Sequence, residues 1–303
     1  MAYLSIRERY SYLFSDLARL SHEAGIIDDH NVYQEANAET RAILYKVIAE
    51  NLHDGSCLEG REHFAEFLQQ LKAGKHGLIL AEHYSNMDLP LLCYLLEQDK
   101  GDFGKEIAAR IVAISGKKLN EENPMIKAWA EGFSRIVIYP SRSLASVTDP
   151  EELARGRKIN LAATRALSTV RRNGQSVLVF PSGTRYRPGK PETKHGVRET
   201  DSYLRIFDIM ILVSINGSIL RICEDEPDNM LADLVVPDTV VMAASPVMYC
   251  KQFREEVNAS LASSSSEAID LKQKHVDRIM ELLALQHEQY EKIRLSKAPP
   301  LLI

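Results

Sequence analysis

Between residues 77 and 180 one pattern repeats: a short, mostly apolar run closed by a polar turn, then a longer stretch with helical punctuation. The runs are Gly77 to Ala81, Arg110 to Ser115, Arg135 to Tyr139 and Ser176 to Phe180. Such runs are short for helices and do not alternate, so they read as strands buried on both faces. Asn123-Pro124 opens an intervening helix that ends near Gly132. Asp149-Pro150-Glu151-Glu152 opens another, which ends at Arg171-Arg172-Asn173-Gly174. The second has a cap, a proline, an acidic first turn, a basic last turn and a glycine stop. Strands joined through helices run parallel, so the expected fold is α/β, a mainly parallel sheet covered by helices.

The flanks differ. Residues 1–72 give no strand signal. Val32, Ala36, Ile43, Leu44, Val47 and Ile48 recur near helical spacing, as do Phe64, Phe67, Leu68 and Leu71. Gly74 to Gly77 marks a break. The expected organisation is a small helical N-terminal domain, residues 1–72, followed by the α/β domain, residues 73–303. Beyond residue 200, Ile209 to Ile215 reads as a strand and Val235 to Cys250 as one or two more. A serine run, Ser263 to Ser266, leads into a long helix from near Glu267, carrying Ile269, Val276, Ile279, Met280, Leu283 and Tyr290.

A chain of 303 residues, 45% hydrophobic and 26% charged, is large enough for a sizeable core. Its net charge of -5 gives no footprint for nucleic acid. The apolar stretch Ile209 to Leu220 is interrupted by Ser214, Asn216, Gly217 and Ser218, so no span is expected. Arg7, Glu8, Arg9 and Asp16 argue against a signal or transit peptide. Cys57, Cys93, Cys223 and Cys250 are scattered and read as reduced core residues. The expectation is a soluble cytoplasmic protein, with peripheral membrane contact left open.

The chemistry concentrates in the turns after the strands. His83 and Asp88 bracket the turn between the first run and the helix opening at Leu89-Pro90, with Asp88 expected as its cap. A carboxylate on one imidazole nitrogen fixes the tautomer and leaves the other nitrogen as a base. The bland alternative is a capping or surface pair. No other His or Cys has metal-ligand spacing to His83, so neither a metal nor a cofactor is expected. The later turns carry Lys117 and Lys118; Ser141, Arg142 and Ser143; and Ser182, Gly183, Thr184, Arg185 and Arg187. In open parallel sheets, ligands bind outside the carboxyl ends of the strands. A base beside several cations on that edge suits an anionic substrate, a phosphate above all. The alternative for Arg185 and Arg187 is a polar turn with two solvated arginines.

His83 to Asp88, followed about ninety residues later by Phe180-Pro181-Ser182-Gly183-Thr184-Arg185, resembles the glycerolipid acyltransferase family. The Pro-Ser-Gly form followed by Arg-x-Arg-Pro is similar to its soluble, plastid-type glycerol-3-phosphate acyltransferases. The resemblance covers roughly residues 77–215, through Ile114-Ser115-Gly116, Tyr139-Pro140-Ser141-Arg142-Ser143 and Arg157-Lys158-Ile159-Asn160. Here Arg142-Ser143 stands where that subclass has Lys-His, and Met210 or Ile211 where it has a proline. The resemblance implies acyl transfer from acyl carrier protein or acyl-CoA to the 1-hydroxyl of glycerol 3-phosphate. His83 would be the base, Asp88 its orienting partner, and Arg142, Arg185 and Arg187 the phosphate ligands on a turn shaped by Ser182, Gly183 and Thr184. Ser182 is not expected to be a nucleophile. A lysophospholipid acceptor, or a non-enzymatic module that binds phosphate or a carrier protein, are the alternatives.

Overall fold

The computed structural model describes residues 3–21, 25–121, 123–261 and 270–299. The serine run and the expected start of the long helix near residue 267 lie outside them. Eleven strands are present among the described residues: β1 Tyr33–Gln34, β2 Cys57–Glu59, β3 Gly77–Ala81, β4 Ile111–Gly116, β5 Arg135–Ile138, β6 Ser176–Val179, β7 Ile209–Asn216, β8 Leu220–Arg221, β9 Leu234–Val235, β10 Val241–Ala244 and β11 Met248–Tyr249. The main sheet has the order β1-β5-β4-β6-β3-β7-β10-β2, with β11 also on β7 and β8-β9 as a separate ribbon. Its five central strands, β5-β4-β6-β3-β7, are parallel, so their carboxyl ends share one edge. β10 and β11 run antiparallel to β7, and β1 antiparallel to β5.

The central runs are largely apolar because both faces are covered. On β3, Ile79 and Ala81 join one core cluster while Leu78 and Leu80 join the other. β7 does the same, with Ile209, Ile211, Val213 and Ile215 on one side and Met210 and Leu212 on the other. The period of two sends neighbours to opposite faces. Helices Ala38–Asn51, Arg61–Lys72, Asp88–Gln98 and Phe103–Arg110 contribute to the first cluster. Helices Pro150–Arg172, Thr200–Ile206, Cys250–Leu261 and Leu271–Lys297 contribute to the second.

Two expectations are corrected. The first 72 residues hold two strands, β1 and β2, paired with β5 and β10. At two and three residues they have no periodicity of their own, and tertiary pairing alone defines them. Ile6, Tyr10, Leu17, Leu44 and Ile48 share one core cluster with Ile79 and Ile211. Asp88 is not a cap. It is the first residue of its helix, Met87 holds the cap position, and no side chain caps that end. The helices opened by Asn123 and Asp149 do begin with those side chains accepting from backbone N–H groups. Of the cysteines, Cys93 and Cys250 are buried, whereas Cys57 and Cys223 are partly exposed; all four are free. No helix among the described residues is long and apolar enough to cross a membrane.

Candidate active site

The turn between β3 and the helix Asp88–Gln98 is built around one carboxylate. Asp88 is buried, and its Oδ2 accepts from Tyr84 N at 2.5 Å and Ser85 N at 2.9 Å. Its Oδ1 accepts from Ser85 Oγ at 3.0 Å. Three donors converging on a buried oxygen pair keep it an acceptor. The remaining contact, His83 Nδ1 to Asp88 Oδ2 at 2.9 Å, is therefore a donation from Nδ1–H. In the neutral ring that assignment puts the free lone pair on Nε2, which meets no hydrogen-bond partner among the described residues. The ring lies flat on Phe180, centroids 3.9 Å apart and planes 11° from parallel. Bond and stack together leave the imidazole little freedom.

A second acid–histidine pair braces the same turn from the long helix Leu271–Lys297. His287 Nδ1 meets Glu82 Oε2 at 2.8 Å, and Ile215 N donates to the same oxygen at 2.8 Å. Tyr84 OH donates to Glu82 Oε1 at 3.0 Å, and burial pushes that phenol well above its ordinary pKa. Tyr84 thus gives its N–H to Asp88 and its hydroxyl to Glu82.

The turn after β6 lies against His83. Tyr186 N donates to the His83 carbonyl at 2.7 Å. Gly183 has φ +64, a conformation that glycine adopts without strain, and donates to Phe180 O at 2.9 Å. Ser182 Oγ donates to Thr184 O at 2.7 Å, so its proton serves the turn rather than His83. Ser182, Gly183 and Thr184 thus shape the corner that carries the arginines.

The cations divide into distinct settings. Arg185 is buried and paired with Asp233, whose carboxyl burial raises to about 6 despite that charge. Arg187 is partly exposed, with Nη2 donating to Asp228 Oδ1 at 2.7 Å. Arg142 is exposed on a short helix, Ser141–Ala145, where the sequence suggested only a turn. It follows β5, three strands from β3, about 14 Å across the edge at ~4.8 Å per strand. Lys117 is bound into a cluster with Glu152 at 2.8 Å and Glu121 at 3.2 Å, and lies 4.4 Å from the Tyr139 ring centre. Arg155, then Lys117, hold Glu152 down to about 2. One cation beside the turn escaped the sequence reading. Lys194 stands 4.3 Å over the Tyr186 ring and 5.6 Å over Tyr84, with no carboxylate in ion-pair range among the described residues. Only its place fourteen residues after Phe180 could have signalled it.

A histidine–carboxylate pair and a basic turn, on the carboxyl edge of a parallel sheet, form a site suited to proton abstraction beside an anion. The model of the acyltransferase family matches residues 58–202. Over 126 residues it is 26% identical to the chloroplastic glycerol-3-phosphate acyltransferase of Arabidopsis thaliana, covering 41% of this chain and 26% of that protein. The enzymes of the same name from Pisum sativum and Spinacia oleracea are each 25% identical over 126 residues. The aligned segment spans about a quarter of the length of these curated relatives. Among solved structures, the 1-acyl-sn-glycerophosphate (LPA) acyltransferase PlsC from Thermotoga maritima matches at TM-score 0.44 and 15% identity, covering 82% of this chain and 78% of that one.

Proposed function

We propose that this protein is an acyltransferase that moves an acyl group from a thioester, on acyl carrier protein or coenzyme A, to the 1-hydroxyl of glycerol 3-phosphate. The observation that carries the reading is the His83–Asp88 pair, with Nε2 unpartnered beside a turn bearing Arg185 and Arg187. Nε2 takes the hydroxyl proton as the oxygen attacks the thioester carbonyl. The tetrahedral intermediate collapses, the C–S bond breaks, and the imidazolium returns its proton to the departing sulfur. Asp88 holds the ring and stabilises the imidazolium. A thioester is already activated, so the step draws on no cofactor.

Arg187 is the accessible phosphate ligand in this reading. Arg185, internally paired, fixes the turn and adds its charge behind the ligand. Arg142 adds positive charge farther along the same edge. Holding the phosphate delivers the hydroxyl to His83, and such positioning can be worth several kcal/mol.

The test is product analysis. Purified protein is given an acyl thioester with glycerol 3-phosphate, with lysophosphatidate, or with unphosphorylated glycerol. Formation of 1-acyl-glycerol 3-phosphate as the fastest reaction supports the proposal. Faster acylation of lysophosphatidate would move the assignment to that acceptor. Tight binding of phosphate without turnover in any arm would make the protein a binding module.

A further inference from the structure

Both arginines of the basic turn already hold a carboxylate, and one short segment between β8 and β9 supplies both. The two pairs are unlike. Asp233 is buried, and its backbone carbonyl accepts from Ile6 N at 2.9 Å, which anchors it to the short helix Ile6–Tyr10. Asp228 is 84% exposed in its side chain, against 26% for Arg187, so this pair opens toward water on the acidic side. The contact uses a single donor, Nη2. Nε of Arg187 is buried and has no partner among the described residues. Nε–H and Nη2–H lie along one edge of the guanidinium, the fork that grips two oxygens of one oxyanion. Asp228 fills half of that fork.

We propose that Asp228 is a placeholder on the acceptor's phosphate site, and that an anionic acceptor displaces it to reach Arg187. The inference rests on the glycerol-3-phosphate reading above. A monoanionic carboxylate can fill both halves of the fork but brings no more charge than Asp228 does. A phosphate dianion brings more charge and a second oxygen for Nε. Asp228 thus raises the KM of every acceptor that binds Arg187, and by the same factor for each. Its exposure makes displacement inexpensive, since exposed pairs contribute up to about 1 kcal/mol, roughly fivefold in affinity.

The test compares wild type with Asp228→Asn, Asp228→Glu and Glu226→Gln. Glu226 is an exposed carboxylate on the same segment that hydrogen-bonds Asn229 rather than Arg187. KM and kcat are measured with glycerol 3-phosphate, and the Kd of inorganic phosphate by calorimetry. Asp228→Asn is expected to lower KM and Kd by about two- to fivefold, with kcat changed less than about twofold. Asp228→Glu should stay near wild type, and Glu226→Gln should change neither constant. Unchanged or raised KM and Kd in Asp228→Asn, with an unaltered melting curve, would overturn the proposal. So would an equal drop in Glu226→Gln, which would reduce the effect to net charge. Should wild type not acylate glycerol 3-phosphate at all, the acceptor assignment fails. The phosphate titration then still decides whether Asp228 occupies an anion site.

Discussion

Replacing Asp88 by Asn keeps the size of the side chain and removes its charge. In the native turn the carboxylate takes His83 Nδ1, Tyr84 N and Ser85 N on one oxygen and Ser85 Oγ on the other. An amide oxygen can keep the first three, so the turn should survive. Bonds to a charged acceptor weaken by about 1 kcal/mol each on becoming neutral. The smaller desolvation cost of the amide offsets part of this, leaving a net destabilisation of roughly 1–3 kcal/mol. The catalytic loss is larger. An imidazolium about 4 Å from a carboxylate gains about 4 kcal/mol at an effective dielectric constant near 20. At 1.36 kcal/mol per decade, losing it costs about 10³ in kcat. The assay is thiol release with glycerol 3-phosphate, run on Asp88→Asn, His83→Ala and the double variant, with thermal melts as a check on folding. On the proposed mechanism Asp88 acts through His83, so the double variant should be no slower than His83→Ala alone. A single variant within about tenfold of wild type, or losses that multiply in the double variant, would refute the pair as one catalytic unit.

Arg187→Ala should lower kcat/KM for glycerol 3-phosphate by roughly 10- to 150-fold, with partial recovery in Arg187→Lys, and should matter little with unphosphorylated glycerol. Arg185→Ala should instead show in thermal melts, because it strands buried Asp233 without its partner, a change that typically costs about 3–5 kcal/mol. Gly183→Ala puts a Cβ at φ +64 and 3.2 Å from Val197 Cγ1, so a loss of about 1–2 kcal/mol and reduced kcat/KM are expected together. Glu152 titrates near 2 rather than its ordinary 4.5, so its ion pairs stabilise the fold above about pH 4.5, and that contribution disappears as pH falls toward 2. The melting-temperature gap between wild type and Glu152→Gln should therefore be open at pH 7 and narrow steadily below pH 4.5.

What the sequence discloses depends on how local each interaction is. The strands β3 to β7 are legible because burial on both faces demands largely apolar runs. His83 and Asp88 are legible because five residues and one turn join them. β1 and β2 carry no such signature, since each exists through a partner strand more than 100 residues away. The misassigned cap has a local cause as well. An Asp before an apolar helix matches a capping pattern, but this carboxylate turns back toward His83 and the amides before it. The arginines were visible, and their partners were not: Asp228 lies 41 residues from Arg187, and Asp233 lies 48 from Arg185. The Glu82–His287 brace spans 205 residues, and only the packing of the long helix across the sheet brings the pair together.

The most direct measurement is the initial rate of thiol release from an acyl thioester, with and without glycerol 3-phosphate, for wild type and His83→Ala side by side. Wild type should release thiol in proportion to the acylated glycerol phosphate formed. His83→Ala, with an unchanged melting curve, should be slower by about 10²–10⁴-fold. Release by wild type that does not depend on glycerol 3-phosphate, or a His83→Ala rate within about tenfold of wild type, would contradict a His83-driven transfer to that acceptor.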